Sequence, residues 1–187
     1  MKKHNTPAVE IVDYDSSWPT AFATLRSRIL GALGTIADSI EHVGSTSVPG
    51  LAAKPIIDLD VVVLSASDVP SAIERLGLLG YLHRGNLGIE GRETFESPSG
   101  LVAHHLYLCI RGSAALTNHL TIRNYLRHNS DAAVTYGILK RRLAKQFPTD
   151  VDRYMDGKTD FILGILREAG IPEPALSGIA DINRLKS

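Results

Sequence analysis

The chain has 187 residues, 44% hydrophobic and 21% charged, with 20 basic residues balancing 20 acidic ones. That length supports one sizeable core, and zero net charge gives no global attraction for nucleic acid or an acidic membrane surface. The lone cysteine, Cys109, excludes an internal disulfide and a cysteine-rich zinc site. No apolar run nears the roughly 20 residues of a membrane span, and Met1-Lys2-Lys3-His4 lacks the apolar segment of a signal peptide, so cytoplasm is the expected location.

In chain order, residues 1 to 8 read as a polar lead. Ser16-Ser17 is placed to cap a helix with Trp18, Phe22, Leu25, Ile29 and Leu33 at helical spacing, ended by Gly34. Strands are predicted over Ile40 to Val43 and Ile56 to Leu64. A helix then runs from Asp68 to Leu79, opened by Asp68 and Pro70 and stopped by Gly80. Extended segments follow at Tyr81 to Arg84, Gly88 to Phe95 and Leu101 to Ile110, where Cys109 reads as a small buried hydrophobe. From Ser113 the pattern is helical to Ala169. Strands flanked by helices, then a helical block, predict an α+β fold: a mixed β-sheet with packed helices and a C-terminal helical portion. Residues 1–170 form a single domain in this reading. The tail, 171–187, with Pro172, Pro174 and Gly178, is left unassigned, and self-association of the chain is left open.

One stretch stands apart. His42-Val43-Gly44-Ser45-Thr46-Ser47-Val48-Pro49-Gly50 leads, about a dozen residues on, to Asp58-Leu59-Asp60 inside an apolar run. Side chains alternate along a strand, so Asp58 and Asp60 project to one side while Ile57, Leu59 and Val61 project to the other. Two like charges held together are reconciled by a cation between them. Oxygen ligands and few carboxylates suit magnesium, or manganese, completed by waters and substrate phosphates. Gly44 and Ser45 would seat those phosphates, because glycine lets the backbone approach and the next amide and hydroxyl both donate. Thr46 and Lys54 are the nearest further donors; turn hydrogen bonding is the commoner use of Thr46, and Lys54 reads equally as an exposed residue before Pro55.

A second anomaly lies in the helical block. Lys158 shares an apolar face with Tyr154, Phe161 and Ile165, and Lys140 shares one with Tyr136, Leu143 and Phe147. A lysine on an apolar stripe must snorkel or find an anion, since an unpaired buried ammonium is costly. Two such lysines, each four residues after a tyrosine, suggest a basic wall that Arg123 and Arg127 extend. Such a mixture fits a nucleoside triphosphate or a phosphorylated acceptor.

A Gly-Ser turn followed by Asp-x-Asp resembles the nucleotidyltransferase superfamily that includes DNA polymerase beta and the aminoglycoside nucleotidyltransferases. More closely, the chain resembles the GrpB family. The matching segments are Val12-Asp13-Tyr14-Asp15 through Trp18-Pro19, His42 through Asp58, Arg123-Asn124-Tyr125-Leu126-Arg127, Tyr136-Gly137-Ile138-Leu139-Lys140 and Tyr154-Met155-Asp156-Gly157-Lys158. The resemblance implies a nucleotidyltransferase fold over residues 9 to 168. It also implies a nucleotide or coenzyme context, since members occur fused to dephospho-coenzyme A kinase, but it brings no settled activity. Active members of the superfamily add a third carboxylate on a later strand, which can serve as base. Here Leu101 to Leu108 holds no acid. His104 and Tyr107, or Glu93 or Glu96 on the preceding strand, are the candidates.

Two functions follow as expectations. One is a magnesium-dependent nucleotidyltransferase that carries a nucleotidyl group from a nucleoside triphosphate to a small-molecule or protein hydroxyl. Asp58 and Asp60 would hold metal, Gly44, Ser45, Lys140, Lys158 and Arg123 the phosphates, and His104 or Glu93 would activate the acceptor. The other is a nucleotide-binding or accessory module without turnover.

Overall fold

A computed structural model describes residues 8–183 of the chain; the predicted polar lead, apart from Ala8, and residues 184–187 lie outside the described residues. Strands β1 (Ser39–Val43), β2 (Ile57–Val63), β3 (Leu82–His83), β4 (Arg92–Glu96) and β5 (His104–Ile110) form one sheet in the order β1-β2-β5-β4-β3. β2 and β5 run parallel at its centre, and the remaining pairs are antiparallel.

The sheet separates two environments. On one face Ile57, Leu59, Val61 and Val63 of β2, Leu106 and Leu108 of β5 and Phe95 of β4 pack against helices α1 (Trp18–Leu33) and α2 (Val69–Leu78), with Ile29, Leu33, Ala72 and Leu76 wholly buried. Each large aliphatic side chain buried there contributes about 1.5–3 kcal/mol. The other face is covered only in part. Helix α3 (Ala114–His128) lies over Val62 and Cys109 through Leu116 and Leu120. The strip carrying Asp58, His105 and Tyr107 stays open to the clefts described below.

The predicted helical block divides into α3, α4 (Ser130–Gln146), α5 (Val151–Asp156) and α6 (Thr159–Glu168). The break between α5 and α6 falls at Gly157-Lys158, where a Cβ on Gly157 would sit 2.5 Å from Leu143 Cδ2 of α4. Glycine lets the junction press against α4 and turns Lys158 back towards Tyr154. The unassigned tail forms α7 (Glu173–Asn183), which packs on α6 through Leu163, Leu166 and Leu176. At the start of α1 the expected serine cap is absent: Ser17 makes no side-chain cap, and instead its N–H donates to Asp15 Oδ1 at 2.8 Å.

Candidate active site

Val43 ends β1 and the chain turns at Gly44 with φ 68° and ψ −174°, a conformation open only to glycine. Space makes the same demand. A Cβ there would lie 2.1 Å from Asp58 Oδ2, so the Gly44 backbone rests directly against the first aspartate. A short 3-10 turn, Ser45–Ser47, follows and is closed by Ser47 Oγ donating to the Gly44 carbonyl at 2.6 Å. Two arginines of α3 brace this loop. Arg127 donates from Nε and Nη2 to the Ser47 carbonyl at 3.0 and 2.8 Å, and Arg123 donates to Glu41 Oε2 at 2.8 Å and to the His42 carbonyl at 3.2 Å. Arg123 thus lines the site with its guanidinium already engaged.

Asp58 and Asp60 share the face of β2 turned away from α1 and α2, and each is tied to a histidine through one oxygen. His105 Nδ1 donates to Asp58 Oδ1 at 2.9 Å, and His119 Nδ1 of α3 donates to Asp60 Oδ2 at 2.8 Å. Asp60 is 0% exposed and its Oδ1 has no hydrogen-bond partner among the described residues. Burial alone would lower the His119 pKa, but the hydrogen bond and charge of Asp60, with Asp58 behind it, raise it above the ordinary histidine value. Tyr107, across from Asp60 in the β2–β5 register, has its hydroxyl pushed up to about 12 by burial and by the two aspartates.

Opposite the carboxylates stand the two stripe lysines. Lys140 Nζ donates to Ser45 Oγ at 2.8 Å and to the Ala52 carbonyl, and lies 4.6 Å from the centre of the Tyr136 ring. Lys158 Nζ lies 4.5 Å from the Tyr154 ring centre. Burial, with Lys158 nearby, depresses the Lys140 pKa to about 7; burial, with Lys54 nearby, depresses that of Lys158 to about 8. Neither ammonium snorkels to solvent: their residues are 2% and 9% exposed.

Two adjoining clefts of about 210 and 220 Å³ open onto this arrangement. The first is lined by Ser45, Thr46, Lys54, Asp58, His105, Lys140 and Lys158, the second by Gly44, Ser45, Asp58, Tyr107, His119, Arg123 and Lys158. Of the residues expected from sequence, Gly44, Ser45, Thr46, Lys54, Asp58, Arg123, Lys140 and Lys158 therefore meet around one space, with Asp60 buried beside it. Thr46 is committed within the loop, sharing a 3.0 Å hydrogen bond with His42 Nε2.

His104 and Glu93 do not join them. His104 faces the α1–α2 side, where Nδ1–H donates to the Val102 carbonyl at 2.7 Å and Nε2 accepts from the Tyr81 hydroxyl at 2.8 Å; it is a core histidine satisfied on both nitrogens. Glu93 shares the alternation of Phe95 and pairs with His83 at 2.6 Å, and Glu96 pairs with Arg84 at the sheet edge. The side chains that do flank the carboxylates are His105 and His119. His105 was legible, since Leu106 and Leu108 mark the core-facing parity of β5 and put its neighbours Tyr107 and His105 on the other side. His119 left no such signal, being one polar residue on a long helix.

The profile described as GrpB protein matches residues 8–168. The chain belongs to the GrpB family. Among curated GrpB-family relatives it is 39% identical to the UPF0157 protein SCO7215 of Streptomyces coelicolor over 87% of this chain and 84% of that protein. It is 36% identical to the UPF0157 protein YqkA of Bacillus subtilis over 82% of this chain, but spans only 45% of YqkA's length. A dephospho-CoA kinase of Mycolicibacterium paratuberculosis is 24% identical over 86% of this chain and 46% of its own length. The crystal structure of GrpB from Enterococcus faecalis superposes with a TM-score of 0.77 at 34% identity, covering 90% of this chain and 98% of that one. The Cid1 poly(U) polymerase, in a form bound to MgATP, superposes with a TM-score of 0.52 at 15% identity, over 72% of this chain and 44% of that chain. The fold is nucleotidyltransferase-like, a mixed α+β sheet with its helices, as the sequence led one to expect. Among the described residues no helix is long and apolar enough to cross a membrane.

Proposed function

We propose that this GrpB-family chain is a magnesium-dependent nucleotidyltransferase, moving a nucleotidyl group from a nucleoside triphosphate to an acceptor hydroxyl. The observation that carries this reading is a pair of carboxylate oxygens, Asp58 Oδ2 and Asp60 Oδ1, with no hydrogen-bond partner among the described residues, on one face of β2 beside the Gly44-Ser45 turn and two buried lysines. Among the described residues no group of three or more His, Cys, Asp or Glu side chains is arranged to hold a metal ion. A two-carboxylate contribution is what magnesium accepts when phosphates and waters supply the rest, so the residues present fit that ion. The MgATP of the Cid1 neighbour agrees with this choice. Bound magnesium would offset charge on the phosphates as the leaving group departs.

In this reading Ser45, Lys140 and Lys158 hold the triphosphate, and Gly44 brings the loop against Asp58. The acceptor oxygen bonds to the α-phosphorus while the bond from that phosphorus to the β-phosphate oxygen breaks. Pyrophosphate leaves with the electron pair, and the hydroxyl proton passes to His119 Nε2, the ring nitrogen not engaged by Asp60.

The test is calorimetric titration of the four ribonucleoside triphosphates with and without magnesium, for the wild type and Asp58→Asn, together with pyrophosphate release. Magnesium-dependent binding that the variant loses supports the site, and no binding to the wild type overturns it. One observation favours a second reading, a nucleotide-binding or accessory module: His105 stands at the register position across from Asp58, on the strand where the superfamily resemblance calls for a third acid. Binding without pyrophosphate release in the presence of any hydroxyl acceptor would select that reading.

A further inference from the structure

A third cleft, of about 480 Å³, borders the second and shares Tyr107, His119, Ile122, Met155 and Ile162 with it. Its character differs from that of the lysine-rich end. Ile89, Ile122, Ile162, Leu166 and Ile179 give it aliphatic walls, with α7 closing one side through Gly178 and Ile179. One cation stands among them. The Arg92 guanidinium lies 4.9 Å from the Tyr107 ring centre, its Nε is buried without a partner, and among the described residues its side chain makes no hydrogen bond or ion pair. Glu90 and Asn118 also line the cleft, and neither engages it. A buried guanidinium nitrogen left unpartnered is unfavourable, and an oxyanion that can accept two parallel N–H bonds satisfies it best.

We infer that this cleft takes the acceptor, a small molecule with an aliphatic body, a carboxylate or phosphate for Arg92 and a hydroxyl directed towards Asp58. The inference rests on the nucleotidyltransferase reading for the word acceptor, and on the cleft alone for the chemistry of the ligand. Aliphatic walls and the absence of a free aromatic face, Tyr107 being covered by Arg92, favour an aliphatic body over a nucleobase. The three clefts then form a row, with triphosphate at the Lys140 end, the carboxylates in the middle and the acceptor beyond His119.

The full chain is titrated with ω-hydroxycarboxylates of increasing chain length, with matched α,ω-diols, and with MgATP. Variants Arg92→Gln and Ile179→Trp, which fills the cleft from α7, are compared after thermal melts show both folded. The expected result is that a hydroxycarboxylate binds the wild type, that Arg92→Gln weakens it by roughly tenfold or more while leaving diol binding unchanged, and that Ile179→Trp weakens both. MgATP binding stays unchanged in either variant. If no hydroxycarboxylate binds, or if Arg92→Gln binds it as the wild type does, the inference is overturned. If Ile179→Trp weakens MgATP instead, the cleft belongs to the nucleoside. Failure of the underlying reading has its own signature, a wild type that does not bind MgATP whatever the hydroxycarboxylates do.

Discussion

Gly44→Ala would place a methyl carbon 2.1 Å from Asp58 Oδ2, in a backbone conformation reserved for glycine. The loop can accept it only by pushing Asp58 aside, so the expected outcome is loss of magnesium-dependent triphosphate binding and a destabilisation of about 1–3 kcal/mol. Calorimetry and urea unfolding check the two parts. His119 meets a different need. It is the hydrogen-bond partner of a carboxylate that is 0% exposed, so His119→Ala leaves a buried charge without compensation. The loss should be about 3–5 kcal/mol in urea unfolding, with His119→Asn recovering part of it. At this scale the sequence was readable where alternation could be applied. The Gly-Ser turn and the two aspartates fall together because strand parity and loop length are local properties. The same parity, applied to Leu106 and Leu108, assigns His104 to the core and His105 to the site. His119 escaped because its partner lies 59 positions away and nothing local marks it.

Helix α4 and the α5–α6 junction bring basic groups into a nearly dry setting, and their titration becomes the functional variable. Lys140 and Lys158 are depressed from 10.5 to about 7 and about 8 by burial, so in the unliganded chain they lose their protons as pH rises through that range. A triphosphate favours the charged forms. Binding at pH 8 should therefore take up protons, and affinity should fall between pH 7 and 9. Titrations in buffers of different ionisation heat measure the uptake directly. His119, whose pKa is raised, must be deprotonated to act as base, so turnover should be bell-shaped in pH, its acid limb set above 6.5 by His119 and its alkaline limb by the lysines. The tyrosine-lysine spacing pointed to these helices in the sequence because a charge on an apolar stripe is a local contradiction. The breaks between them were hidden, since helical periodicity continues across Gly157, and only packing against Leu143 shows why the chain must interrupt there.

Across the whole molecule, the α1–α2 face of the sheet keeps His42 and His104 largely out of water. His42, stacked on Phe22 with ring centroids 4.6 Å apart, is depressed to about 4 by burial and by Arg127, with Arg123 adding to the effect and Asp58 opposing it. Its unfolded counterpart takes a proton near 6.5 and the folded ring does so only near 4, so stability should decline as pH falls from 6.5 towards 4, by as much as about 3 kcal/mol. His42→Gln should flatten that limb of the unfolding curve. The α+β class and the central strands were legible because apolar runs and turn residues are contiguous in sequence. The third cleft was not, since its walls come from the loop before β4, from β4, β5, α3, α5, α6 and α7, and only the assembled chain brings Arg92 and Ile179 to one cleft.

Cys109 is wholly buried in β5 beneath α3, and burial together with the nearby Asp60 raises its thiol pKa well above the ordinary value. A disulfide reagent can reach it only when α3 lifts from the sheet or the sheet opens, so the chain carries its own clock for that event. The rate of thiol labelling under native conditions would report opening around β5 and its neighbour β2, the strand that holds both aspartates, without any introduced probe. A compound that binds the closed site must slow this clock by mass action, which allows candidate substrates to be screened before any reaction product is known.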